Sequence, residues 1–160
     1  MFLIMNKKEL MQEAIKCSLE GMNSNAGGPF GAVIAKDGEI IARGWNTVTS
    51  TNDPTAHAEV NVVRMACKKL NTFDLTGCEL YTSCEPCPMC LSAIYWSGIK
   101  KIYYGNTRKD AADINFDDDF IYKEIPLPIN ERSVSMEQLD REEAIKAFKN
   151  WMEKSDKIEY

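Results

Sequence analysis

The chain has 160 residues, a formal net charge of −5 and 27% charged residues, which is typical of a single soluble globular domain. Nucleic-acid-binding proteins usually carry a basic footprint, so this acidic balance disfavours a polynucleotide substrate and favours a small neutral one. The apolar start over residues 1–5 is too short for a signal peptide, and no run is long enough to span a membrane. We therefore expect a cytoplasmic protein.

The first part of the chain predicts a helix followed by a hairpin. Residues 6–24 carry apolar side chains at helical spacing and precede a break at Gly27-Gly28-Pro29. Residues 31–35 and 39–43 are short β-type runs, and Asp37-Gly38 between them is a strong turn signal.

Helices and strands alternate through the middle of the chain. Capping residues followed by Pro54 predict a helix over residues 55–70, and a further helix is predicted over residues 87–97. Strands are predicted over residues 79–82 and 101–104, and a last helix over residues 141–153, whereas residues 107–140 predict no clear element. This alternation predicts an α/β fold with helices packed on a mixed sheet.

Cysteine spacing indicates a metal site. Three of the six cysteines, Cys84, Cys87 and Cys90, fall within seven residues, and a reducing compartment favours metal binding over disulfides. Cys87 and Cys90 are three apart at a predicted helix start, so they share one face and gain from the helix dipole. With His57, the single histidine of the chain, they provide the three protein ligands of a catalytic zinc, whose fourth place goes to water.

Glu59 lies two residues after His57 and is not needed as a metal ligand. A carboxylate beside a water that zinc activates can accept a proton and return it to a substrate. An alternative is a structural zinc site in which Cys84 joins His57, Cys87 and Cys90. Such a closed site would leave Glu59 without a role.

These residues match a known pattern. His57-Ala58-Glu59 followed by Pro86-Cys87-Pro88-Met89-Cys90 is the H-x-E and P-C-x-x-C signature of zinc nucleobase deaminases. Together with residues 27–34, 52–60, 81–90 and 93–96, it makes the chain resemble the cytidine-deaminase-like superfamily. Residues 116–125 and 157–160 are similar, more closely, to the bacterial guanine deaminases.

The resemblance implies a fold, an assembly and a substrate. It implies a three-layer α/β/α fold with a central five-stranded mixed sheet, one zinc per chain and a single deaminase domain over residues 1–160. It implies a homodimer in which the C-terminal segment crosses to the partner subunit. For guanine as substrate, it implies that Asn46 and the Ala58 backbone N–H hold the purine, that Phe30 packs on its ring, and that Asp118 and Tyr160 complete recognition from the partner subunit.

Each of these contact residues also has a simpler interpretation. Asn46 could be a turn residue after a strand, and Phe30 could belong to the core. The run Asp117-Asp118-Asp119 would ordinarily be a solvated acidic face, and Tyr160 a loose terminus.

Other functions stay open at the level of sequence. A transfer-RNA adenosine deaminase should have a basic C-terminal helix, whereas residues 141–153 mix three basic with three acidic side chains. A cytosine deaminase is not distinguished by the metal-site residues. A non-catalytic zinc-binding interaction module would have no use for Glu59 beside an open metal position.

Overall fold

The computed structural model describes residues 4–160, so part of the apolar start, residues 1–3, lies outside the described residues. The chain forms two compact units, one ending at Asp119 and the other spanning Phe120–Tyr160. The elements are α1 (Lys7–Asn23), β1 (Gly31–Lys36), β2 (Glu39–Trp45), α2 (Val48–Thr51), α3 (Ala58–Leu70), β3 (Glu79–Cys84), α4 (Pro88–Trp96), β4 (Lys101–Asn106), α5 (Arg108–Asp113), α6 (Asp119–Glu124), a 3-10 turn (Ile129–Glu131) and α7 (Arg141–Glu153).

The sheet of the first unit is mixed. The described residues form four strands in the order β2-β1-β3-β4; β1 is antiparallel to both β2 and β3, and β3 is parallel to β4. The predicted α/β fold with a mixed sheet is confirmed, but the prediction of five strands is wrong. The chain after β4 turns into helix instead, because the Thr107 hydroxyl caps α5 by accepting from the Asp110 N–H.

Helices cover both faces of this sheet. Leu10 and Ala14 of α1 pack with Val33 and Tyr81 on one face. The other face packs against α3 and α4 through Ala32, Ile34, Leu80, Ala58, Val62 and Ile94. The close approach of α1 depends on Gly31, where a Cβ would lie 2.3 Å from the Ala14 carbonyl oxygen.

Helix α3 begins later than its sequence pattern predicts. The Asp53 carboxylate accepts from the Thr55 N–H at 2.8 Å and from the Thr55 hydroxyl at 2.7 Å, which holds residues 53–56 in a turn. His57 is then extended (φ −68°, ψ 156°) and serves as the N-cap residue of α3. Because α3 starts later, His57 lies at the N-terminus of the helix rather than within it.

The second unit contains the last helix at its predicted bounds. The Glu124 carboxylate accepts from the N–H and hydroxyl of Ser133, which closes the loop after α6. Helix α7 buries none of its residues, although its apolar side chains recur at helical spacing. Across residues 4–160, no helix combines the length and apolar character that crossing a membrane requires.

Candidate active site

The N-termini of α3 and α4 meet at a group of metal-binding side chains. His57 is the N-cap residue of α3, Cys87 is the N-cap residue of α4, and Cys90 lies in the first turn of α4. The His57 Nδ1 atom is 3.5 Å from the Sγ atom of each cysteine. All three ligand atoms lie within 4.8 Å of one another, so the structure brings together the predicted ligand set.

This donor set fits zinc. Tetrahedral zinc with ordinary Zn–N and Zn–S bonds separates its nitrogen and sulfur ligands by about 3.6 Å, close to the distances observed. Two helix N-termini add positive potential, which favours thiolates. The Cys90 thiol and the His57 imidazole hydrogen-bond to Cys87 and lower the pKa of the Cys87 thiol, which is thereby prepared to act as a ligand.

Cys84 lies apart from this group. Its Sγ atom donates to the Thr107 carbonyl oxygen at 3.6 Å, at the end of β3. Burial raises the pKa of the Cys84 thiol to about 11, so it stays protonated at neutral pH. Among the described residues, the candidate metal ligands are therefore His57, Cys87 and Cys90, and Cys84 is not one of them.

Glu59 is buried beside the metal ligands. Only 6% of the residue is exposed, its Oε1 accepts from the Thr82 hydroxyl at 3.1 Å, and its Oε2 accepts from the Cys90 thiol at 3.5 Å. Burial raises the pKa of Glu59 above its usual range. A raised pKa makes a carboxylate a stronger base, which favours its uptake of a proton in acid–base catalysis.

Asn46 lies in the short loop that follows β2. Asn46 is 5% exposed and its Oδ1 accepts from the Val48 N–H at 3.0 Å, so its side chain holds a turn, as the simpler interpretation of this residue predicts. Asn61 of α3 braces the loop by donating to the Trp45 carbonyl at 2.9 Å and to the Thr47 hydroxyl at 3.1 Å.

Comparison with known proteins identifies the family. Residues 5–106 match the zinc-binding region of the cytidine and deoxycytidylate deaminases. The chain belongs to this family of zinc-binding deaminases. It is 51% identical to the guanine deaminase of Bacillus subtilis (strain 168), with 98% of this chain and 100% of that protein covered. The X-ray structure of guanine deaminase from Bacillus subtilis gives a TM-score of 0.95, covering 98% of this chain and 99% of that one.

Other deaminases of the family match less of the chain. The transfer-RNA-specific adenosine deaminase of Aquifex aeolicus is 50% identical, but over only 48% of this chain and 50% of its own length. A solved guanine deaminase from Nitrosomonas europaea is 31% identical, with a TM-score of 0.69 and 80% of this chain covered. The similarity to the Bacillus subtilis guanine deaminase thus extends over 98% of the chain and includes most of residues 107–160.

Phe30 and Phe116 form an aromatic wall beside the loop that carries Asn46. The Phe30 carbonyl accepts from the Asn46 N–H at 3.0 Å, and the Phe116 ring meets the Phe30 ring edge-on. A Cβ at Gly28 would lie 3.0 Å from both rings, so the absence of a side chain at Gly28 provides the space that the two rings fill. Phe30 also packs partly against the core of the unit, as the simpler interpretation of this residue predicts.

The other residues predicted to contact the substrate, Ala58, Asp118 and Tyr160, lie in different parts of the fold. Ala58 is the first residue of α3, so its N–H is one of the helix donors that lack an intrahelical carbonyl. Asp118 is half-buried, and burial and the negative charge of Cys87 raise the pKa of its carboxyl group. Asp118 therefore lies within electrostatic reach of the metal ligands of its own chain. Tyr160 belongs to the second unit and is 83% exposed.

Sequence reasoning missed three residues of this site. Thr82, Asn61 and Phe116 each contact a predicted site residue or the loop that holds one. The position of Phe116 two residues before Asp118 was a usable signal. Thr82 and Asn61 have none in the sequence, because their partners are 23 and 16 residues away along the chain.

Proposed function

We propose that this protein hydrolyses guanine to xanthine and ammonia. The observation that carries the proposal is the 51% identity to the Bacillus subtilis guanine deaminase over nearly the whole of both chains. The grouping of His57, Cys87 and Cys90 beside a buried Glu59 supports the chemistry. We also propose a cytoplasmic location, because all six cysteines are free thiols and a reducing compartment keeps cysteines in that form.

The proposed mechanism divides the work between a metal and a carboxylate. His57, Cys87 and Cys90 would hold the zinc, which would supply the Lewis acidity that makes water nucleophilic at neutral pH. Glu59 takes a proton from water as the oxygen bonds to the ring carbon that carries the exocyclic amine. Glu59 then gives that proton to the adjacent ring nitrogen. When the carbon–nitrogen bond breaks, Glu59 transfers the proton of the new hydroxyl group to the amine, which leaves as ammonia while the ring carbon becomes a carbonyl.

Residues around the metal ligands would hold the purine. The Asn46 Oδ1 accepts from the Val48 N–H, and the Nδ2 group of the same amide would donate to a purine acceptor. The Ala58 N–H would add a second donor, and Phe30 would pack on the ring. Asp118 would accept from the amine and ring N–H groups of guanine, and a site built this way rejects a base with the opposite pattern.

We further propose a homodimer in which the C-terminal segment of one copy completes the site of the other. Both units, over residues 1–160, would then serve one deaminase function. Phe148 and Met152 of α7 are 72% and 70% exposed, which leaves apolar surface that a second copy could cover. Tyr160, with its phenol, ring and terminal carboxylate, would close over the bound base. Light scattering of the purified protein is expected to give twice the mass of one chain.

The function is tested by a panel of ammonia-release assays. Guanine, adenine, cytosine, their nucleosides and transfer RNA are offered at equal concentration to zinc-loaded protein. The expected result is the highest kcat/KM with guanine. A preference for cytosine or transfer RNA would replace guanine as the substrate, and ammonia release from none of them would favour a zinc-binding interaction module.

A further inference from the structure

A buried hydroxyl on β3 bonds to the carboxylate of Glu59. Thr82 lies in the centre of the sheet, paired with Ala32 on β1 and Tyr104 on β4, and is 1% exposed. Its Oγ1 lies 3.1 Å from Glu59 Oε1 and 3.0 Å from the Cys84 carbonyl oxygen. A hydroxyl has one hydrogen, so it can donate to only one of these two acceptors at a time.

The bond from Thr82 distinguishes the two oxygens of Glu59. Oε1 is tied to the sheet through Thr82, while Oε2 lies 3.5 Å from the Cys90 Sγ and thus faces the metal ligands. Rotation of the carboxylate about its terminal bond would otherwise be broad, because such torsions have shallow preferences. A rigid strand therefore determines how the carboxylate is presented.

We propose that Thr82 is a positioning residue that holds Glu59 with Oε2 directed at the metal centre. The inference rests on the proposed function of Glu59 as the proton carrier. Proton transfer depends steeply on the placement of the carrier, and a displacement of about 1 Å can cost roughly 10²-fold in rate. Thr82 touches neither substrate nor metal in this role and acts only through Glu59.

The test compares three substitutions on β3. Thr82→Val keeps the shape of the side chain but removes the hydroxyl, and Thr82→Ser keeps the hydroxyl. Ser83→Ala is the matched control: Ser83 is also buried on the same strand, but its Oγ accepts from the Gly31 N–H at 3.0 Å rather than bonding to Glu59. Each variant is measured for kcat, KM, zinc content and melting temperature.

Removing the hydroxyl at position 82 should lower kcat and leave KM nearly unchanged. We expect Thr82→Val to lose roughly 10- to 100-fold in kcat, with KM within about twofold and full zinc content. Thr82→Ser should stay within about threefold of the parent, and Ser83→Ala should lower the melting temperature without slowing turnover. A Thr82→Val enzyme with the parent kcat, equal losses in Thr82→Val and Thr82→Ser, or equal slowing by Ser83→Ala would overturn the proposal. Thr82→Ala is a second hydroxyl-free variant should Thr82→Val not fold.

Two further measurements separate this proposal from the proposed function. In the Glu59→Gln background, Thr82→Val should cause no additional loss of kcat, because both changes act through one group. A further loss equal to that in the parent would show that Thr82 acts independently of Glu59. Crystal structures of the parent and Thr82→Val need no substrate: a Glu59 carboxylate unmoved by the substitution rejects the positioning role, even if the panel shows that guanine is not the substrate.

Discussion

Phe116 meets Phe30 at right angles, with ring centroids 5.0 Å apart and an interplanar angle of 87°. Edge-to-face contacts of this kind contribute about 0.5–1.5 kcal/mol beyond the area that they bury. Phe30 immediately precedes β1, whereas Phe116 follows α5. The contact therefore joins two distant segments at the wall where the purine is proposed to pack.

Removing the Phe116 ring should weaken substrate binding. Without the edge contact, the Phe30 ring can tilt away from the face proposed for the base. We expect Phe116→Ala to raise KM for guanine by roughly two- to tenfold, the equivalent of one aromatic pair. Steady-state kinetics of ammonia release measure the change.

Two other variants make that test specific. Phe73→Ala removes a 54% exposed ring in the turn after α3 and should leave KM unchanged. Gly28→Ala places a Cβ 3.0 Å from both rings and should raise KM in the same direction as Phe116→Ala. Unchanged KM in both Phe116→Ala and Gly28→Ala would mean that the wall does not contact the base.

Metal content should distinguish two neighbouring cysteines. Cys87→Ser removes a ligand atom and should abolish stoichiometric zinc, whereas Cys84→Ser removes a thiol that bonds to the Thr107 carbonyl and should keep it. Atomic absorption on purified protein gives the zinc per chain. Equal metal loss in the two variants would support a structural site that includes Cys84.

Glu59→Gln should separate catalysis from metal binding. The amide keeps the size of the side chain but cannot carry a proton, so we expect a loss of at least roughly 10²–10⁴-fold in kcat. Zinc content and the circular dichroism spectrum should match the parent, because Glu59 is not among the grouped metal ligands. Near-normal turnover of the best substrate would show that another group moves the proton.

The thiols of Cys87 and Cys84 should become reactive in different pH ranges. The lowered pKa of Cys87 means that its thiolate is already present at pH 7, while the raised pKa of Cys84, about 11, keeps that thiol neutral until strongly alkaline pH. In chelator-treated protein at pH 7, iodoacetamide should therefore modify Cys87 well before Cys84. Peptide mass spectrometry measures both, and zinc-loaded protein, in which Cys87 should be protected, is the control.

Tyr160, the last residue of the chain, should be needed for turnover at the site of the partner subunit. Deleting Tyr160 should impair guanine turnover severely and leave zinc content unchanged. Inactive Glu59→Gln chains refolded together with inactive tail-deleted chains should regain activity, since hybrids can pair an intact metal centre with an intact tail. Each variant refolded alone is the control. Full activity after deletion would make Tyr160 dispensable, and inactivation without recovery in the mixture would confine the tail to its own subunit.

Much of the first unit follows from local sequence signals. The Asp37-Gly38 turn and four β-type runs predicted the four observed strands, because turn chemistry and short apolar runs act over a few residues. The fifth strand came from family resemblance and not from any such run. The start of α3 was misplaced because the Asp53 side chain holds the following residues in a turn. The turn that Asp53 holds depends on side-chain geometry, which the spacing of apolar residues does not reveal.

The site could be predicted as far as its chemistry is local. His57 and Glu59 are two residues apart and Cys87 and Cys90 are three apart, and each short motif has a residue spacing typical of zinc deaminases. The hydroxyl that holds Glu59 could not be predicted, because Thr82 reaches it only through the pairing of β3 with its neighbours. Helix α5 could have been found from the Thr107 and Asp110 capping box.

The two sides of β1 differ in regularity. Its pairing with β2 shifts between Ile34 and Ala35, which leaves Ile41 as an extra residue, whereas its pairing with β3 runs without a shift. An inserted residue in the hairpin can be absorbed as such a bulge at the outer edge. In β3, an insertion before Tyr81 would turn every following side chain to the opposite face and present Tyr81 where Thr82 now stands. Variation in chain length is thus tolerated in the outer hairpin, while β3 can change only by substitution.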